Sequence, residues 1–134
     1  MARGSVTWHG DRFTNRVKAR LVGAMKSAAL QGEGGLKVIL STPGRGREYP
    51  RGKTKIHKAS APGDPPAPDT GRLRASVTHE VVLIGDSVVS RVSDNTEYAL
   101  WLELGTEKVA PRPALRPLLP KLVKAVRAAI ARRL

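Results

Sequence analysis

Arg74-Ala75-Ser76-Val77-Thr78-His79-Glu80-Val81-Val82-Leu83-Ile84 and Ser87-Val88-Val89-Ser90-Arg91-Val92-Ser93, separated by Gly85-Asp86, decide the fold. Both runs are rich in β-branched residues, and a two-residue spacer with glycine first suits a tight hairpin turn. The pattern predicts antiparallel strands over 74–84 and 87–93. Polar and apolar residues alternate until Val81-Val82-Leu83-Ile84, where four consecutive apolar residues predict a sheet end covered on both faces.

Upstream, Leu36-Lys37-Val38-Ile39-Leu40-Ser41, closed by Thr42-Pro43-Gly44, reads as a further strand over 36–41. Phe13, Val17, Leu21, Ala24 and Ala28 recur at helical spacing between residues 11 and 30. Asp11 is placed to start that helix, and Gly32, Gly34 and Gly35 read as its stop signals. Residues 43–69 hold six of the chain's ten prolines, so no regular structure is expected there. That loop is about twice the length of ~12–15 residues beyond which a connection tends to be functional or disordered. Downstream, Tyr98, Trp101, Leu102 and Leu104 predict a short helix over 97–104, ended by Gly105-Thr106. Leu115, Leu118, Leu122, Val126, Ala129 and Ile130 keep helical spacing toward the C-terminus. Pro113, Pro117 and Pro120 fit only before or within a first turn, so the regular helix is expected from as late as Leu118. The expected fold class is α+β: a small antiparallel or mixed sheet packed by a long N-terminal helix and a basic C-terminal helix. One domain over residues 1–134 carries the Pro/Gly/Arg-rich loop at 43–69.

Composition bounds the chemistry. The 134 residues are 40% hydrophobic but 4% aromatic, so Val, Leu, Ile and Ala must build the core. Without cysteine there is no disulfide framework, thiolate metal site or Cys nucleophile. No apolar run approaches the roughly 20 residues of a membrane helix, and no membrane partner is expected. The first residues lack the apolar stretch of a signal peptide, so the chain is expected to stay where it is made. A net charge of +13 implies a polyanionic partner or a cationic surface within an assembly.

A search for catalytic patterns gives little. Gly52-Lys53-Thr54 resembles the end of a phosphate loop, but the required glycine five positions earlier is Arg47. His9, His57 and His79 lack metal-ligand spacing, and Glu97, Glu103 and Glu107 read as charges at helix ends and turns. The serines lack a nucleophile-elbow pattern. No enzyme, cofactor or metal is expected. Arg45, Arg47, Arg51, Lys53 and Lys55 crowd the long loop with Tyr49 as its one aromatic residue, which argues against base-specific readout. These five, or the C-terminal Lys/Arg set, are the candidates for contact with DNA or an acidic partner.

Two blocks carry a family likeness. The first is Glu97-Tyr98-Ala99-Leu100-Trp101-Leu102-Glu103-Leu104-Gly105-Thr106, followed by Arg112-Pro113-Ala114-Leu115-Arg116-Pro117. The second is the Pro/Ala-rich run 59–69 leading into Thr70-Gly71-Arg72-Leu73 and Ser76. Together they resemble the small neck and tail-completion (head–tail joining) proteins of long-tailed phages, prophages and gene transfer agents. Ala114 stands where that family often has a bulky aromatic residue. The resemblance implies a structural virion protein. Its subunits would form a homo-oligomeric ring, expected to be hexameric, between the head's connector or head-closure proteins and the tail tube protein, with DNA passing through the centre. It implies a location at the head–tail junction, and in the host cytoplasm before assembly. Tyr98 and Trp101 would be buried anchors, Gly105 would end its helix, and Thr106 would hydrogen-bond the turn. The long loop would be mobile in the free subunit and ordered against a neighbour. A free, non-specific nucleic-acid-binding protein is the alternative reading of the same charge.

Overall fold

Residues 5–134 are described in a computed structural model. Helix α1 (Gly10–Ile39) is 30 residues long, about 45 Å at 1.5 Å per residue. It runs through the three glycines and absorbs the expected strand at 36–41. The reason is a ladder at i, i+4: Ala24, Ala28, Gly32, Leu36 and Leu40 are all buried. Leu36 and Leu40 therefore continue the helical stripe that a strand assignment breaks, and tertiary packing outweighs the poor helix propensity of glycine.

The segment 43–69 is likewise ordered where no regular structure was expected. Strands β1 (Glu48–Arg51) and β2 (Lys55–Lys58) form an antiparallel ribbon, here called the arm. Pro50 faces Ile56 at a position outside the ladder hydrogen bonds, so its missing N–H removes none of them. A helical turn, α2 (Arg72–Ala75), then replaces the expected start of the main hairpin, whose strands are β3 (Val77–Ile84) and β4 (Ser87–Asp94). Gly85 turns the hairpin with φ +58° while Asp86 keeps negative φ, as a turn with glycine at its first central position requires. The chain ends with the short helix α3 (Ala99–Leu104) and the long helix α4 (Leu115–Arg133). Helix α4 starts three residues earlier than expected, with Pro117 in its first turn and Pro120 inside it.

The architecture is α+β, with two separate two-stranded sheets in place of one larger sheet. Helix α1 is its centre. Helix α4 lies antiparallel along it: Leu36 and Leu40 share a core cluster with Val77, Ala114 and Leu118, and Ala24 and Ala28 pack with Ala129. The inward face of the hairpin covers another side of α1. There His79 Nδ1 meets Glu33, which also receives the Lys37 ammonium, and Asp86 at the tip accepts from Lys18 at 2.7 Å. The hydrogen bonds from Lys37 and then His79 hold the Glu33 carboxyl below its ordinary value.

The outward face of the hairpin departs from expectation. Val82 and Val89 there are half-buried and Ile84 is exposed, with no second layer over them among the described residues, and Leu83, on the inward face, is exposed beyond the reach of α1 at the tip. The N-terminal turns of α1 are also uncovered, because α4 ends near Gly23 and the hairpin tip near Lys18. Phe13, read as part of a core face, is 69% exposed.

At Gly32 both α4 and the hairpin come close to α1: an added Cβ would lie 2.9 Å from both Leu122 Cδ1 and Val92 Cγ2, whereas Gly34 faces open space. Gly34→Ala is therefore expected to raise the unfolding free energy by about 1 kcal/mol. Gly32→Ala should show no such gain, since the branched Val92 must be displaced. Equal stabilisation by both in urea denaturation would contradict this packing.

Candidate assembly site

The two sequence blocks that carry the family likeness meet in one corner. Helix α3 supplies Glu103, and α4 begins twelve residues later with no acidic residue in its first turn. A helix start leaves four backbone N–H groups without internal partners. Here Glu103 Oε2 accepts from Ala114 N at 2.7 Å and Leu115 N at 3.0 Å, and Oε1 accepts from Arg116 N at 2.9 Å. The fourth position is Pro117, which has no N–H to satisfy. One carboxylate thus caps a wholly basic helix and opposes the positive end of its dipole.

The loop between α3 and α4 is fixed by Gly105 and Thr106. Gly105 ends α3 at φ 78°, ψ 175°, a region open essentially to glycine alone, in place of the left-handed helical conformation that a simple helix stop would use. Its position lies against Pro111, with an added Cβ 2.9 Å from the proline ring. Thr106 Oγ1 accepts from Lys108 N and Val109 N, and Thr106 N donates to Val109 O at 2.9 Å.

Arg112 binds the second block to the first. Its backbone N donates to Leu102 O at 2.6 Å and its guanidinium to the carbonyl of buried Ser60 at 3.2 Å. Gly63 N donates to Pro111 O alongside. Pro113 and Leu115 are half-buried here, with Leu115 packed on the core cluster, and Pro117 is exposed. Leu73 packs on the same cluster, Thr70 Oγ1 accepts from Arg72 N, and Gly71 opens α2. Ser76 Oγ donates to Asp94 at 2.7 Å, which also accepts from Thr96 N and Oγ1. Asp94 and Asn95 escaped the sequence reading, although Asp-Asn-Thr after a strand is a turn signal. A groove of about 340 Å³ runs between Ser60, Asp69, Thr70, Arg72, Tyr98 and Arg112.

Trp101 is not the buried anchor that was expected. It is 59% exposed, beside exposed Leu100 and Leu104, while Tyr98, Ala99, Leu102 and Glu103 turn partly inward. A six-residue helix must use its inner face for Leu102 and the Glu103 cap, which leaves these three large apolar side chains outside.

The arm borders this corner, with His57 lining the same groove, and does not gather its five candidate cations into one site. Arg45 makes a bidentate pair with Asp64, at 3.2 and 2.8 Å, and Arg51 pairs with Asp69. Arg47 lies over the Tyr49 ring at 5.5 Å. Lys53 and Lys55 flank the tip, where Gly52-Lys53-Thr54 is followed by strand β2 and not by the helix that a phosphate loop needs. Among the described residues no group of three His, Asp or Glu side chains is arranged to hold a metal, and no helix is long and apolar enough to cross a membrane. No family model, curated protein or solved structure matches the chain.

The cap carries a direct test. Glu103→Ala should destabilise the chain by about 2 kcal/mol, because three N–H groups lose a charged acceptor. Glu103→Gln, which keeps one acceptor oxygen, should cost less. Hydrogen exchange should locate the loss at the first turn of α4; unchanged stability and protection in Glu103→Ala would refute the cap.

Proposed function

We propose that this chain is a structural subunit of the head–tail junction of a long-tailed phage or related particle. Copies form a closed ring, expected to be hexameric, between the connector or head-closure proteins and the tail tube protein, and DNA passes through the ring. Before assembly the subunit resides in the host cytoplasm. The function is assembly, not turnover.

The observation that carries this reading is the outward apolar patch Leu100, Trp101 and Leu104, on the same short helix whose Glu103 fixes α4. A large aromatic residue held out of a small core by a rigid corner is the anchor type that protein interfaces use. Surface area supports it. The chain presents 10023 Å², against about 6,800 Å² for a compact monomer of its mass. The excess comes from the projecting arm and the uncovered start of α1, surfaces that a neighbouring copy can cover. The arm fits the same picture, because an isolated two-stranded ribbon is marginal in water and gains by lying on a neighbour.

Trp101→Ala combined with Leu104→Ala is expected to change the stability of the isolated chain by no more than about 1 kcal/mol. The same variant should lose ring formation in native mass spectrometry and yield separate heads and tails. Intact rings and joined particles from the variant would count against the proposal.

A further inference from the structure

The exposed cations fall into two populations. In and beside the arm, Arg45, Arg51 and Lys58 already have acidic partners, which leaves Arg47 over the Tyr49 ring and Lys53 and Lys55 at the tip as separate charges. Helix α4 is different. It carries Arg116, Lys121, Lys124, Arg127, Arg132 and Arg133 with no acidic residue, and all six are exposed. None is in an ion pair among the described residues. Helical geometry puts Arg116, Lys124 and Arg127 on the side turned away from Leu118, Leu122 and Ala129, with Lys121 and Arg132 on its flank. From Arg116 to Arg132 this positive face is about 24 Å long.

Arg133 carries the charge onto α1. An added Cβ at Gly23 would lie 2.8 Å from its guanidinium nitrogen, so glycine is what lets that side chain lie across the helix. Gly23 shares its helical face with Arg20, Arg16 and Arg12, three, seven and eleven residues earlier, and all three are exposed.

We propose that the outward face of α4, continued by Arg12, Arg16 and Arg20, binds the phosphate backbone of duplex DNA without sequence preference, and that the arm does not provide this contact. A face of one sign over this length suits the regular charge of a duplex. No aromatic residue interrupts α4, which removes base stacking as a source of binding. The stripe Leu118, Leu122 and Ala129 of α4 lies on α1, and the outward side adds only Leu119 and Val123 among its cations, too narrow an apolar face for insertion into a lipid interface. The contact is a property of the single chain and does not depend on the ring.

The test is a fluorescence anisotropy titration of two unrelated short duplexes with the full-length chain over a range of salt. Both should bind weakly and alike, in the range of about 10⁻⁴–10⁻⁶ M at physiological salt. The triple variant Lys121→Gln, Lys124→Gln, Arg127→Gln should reduce the slope of log K against log salt by up to about 2.7, at about 0.9 per phosphate contact. The triple variant Arg47→Gln, Lys53→Gln, Lys55→Gln, with the same change in charge, should keep the wild-type slope. Equal loss in both variants, an unchanged slope in the helix variant, or binding to phosphatidylserine vesicles without binding to duplex would overturn the assignment. A native ring that forms while the helix variant loses DNA separates this outcome from failure of the ring proposal.

Discussion

The close approach of other elements to α1 is the constraint on which the rest of the molecule depends. Its buried ladder of Ala24, Ala28, Gly32, Leu36 and Leu40 has almost no side-chain bulk in its first three rungs, so neighbouring side chains come close to the helix backbone. Leu122 and Val92 fill the space over Gly32, and Leu118 fills it over Gly35. The core is therefore long and thin. It holds α4 and the main hairpin to one rod without enclosing their other faces, which is why apolar residues remain outside on the hairpin tip, on α3 and at the start of α1.

The corner built by Glu103 and Arg112 turns that rod into a defined surface. Helix α4 has no acid of its own to satisfy its first turn, and the chain solves this with a carboxylate from the preceding helix. Arg112 then ties the Ser60 segment to the same place. Residues far apart in sequence thus fix the position of Leu100, Trp101 and Leu104, and a rigid mount reduces the ordering cost of an interface.

Much of this was legible from residue pattern. Gly85-Asp86 and its flanking β-branched runs specify the hairpin by local chemistry, and the apolar spacing of α4 specifies a helix. The errors have a common cause in tertiary context. Gly32 and Gly35 look like stop signals locally but serve as contact points, and that local signal makes Leu36 and Leu40 read as strand. In the segment 43–69, proline count hid the fact that Pro50 sits where its missing N–H is harmless. At the candidate site, the spacing of Glu103 from Ala114, Leu115 and Arg116 was visible, but its role as a cap requires the turn at Gly105 to bring them together. The exposure of Trp101 was not legible at all, because an aromatic residue at helical spacing in a chain with few aromatics reads first as core.

The most direct measurement is cryo-electron microscopy of purified particles that contain this chain, at a resolution that traces α3 and α4. The account predicts a closed ring of copies at the head–tail junction, with Trp101 buried against a neighbouring copy. Complete particles without density for the chain at that junction, or a ring in which the Leu100–Leu104 helix faces solvent, would contradict it.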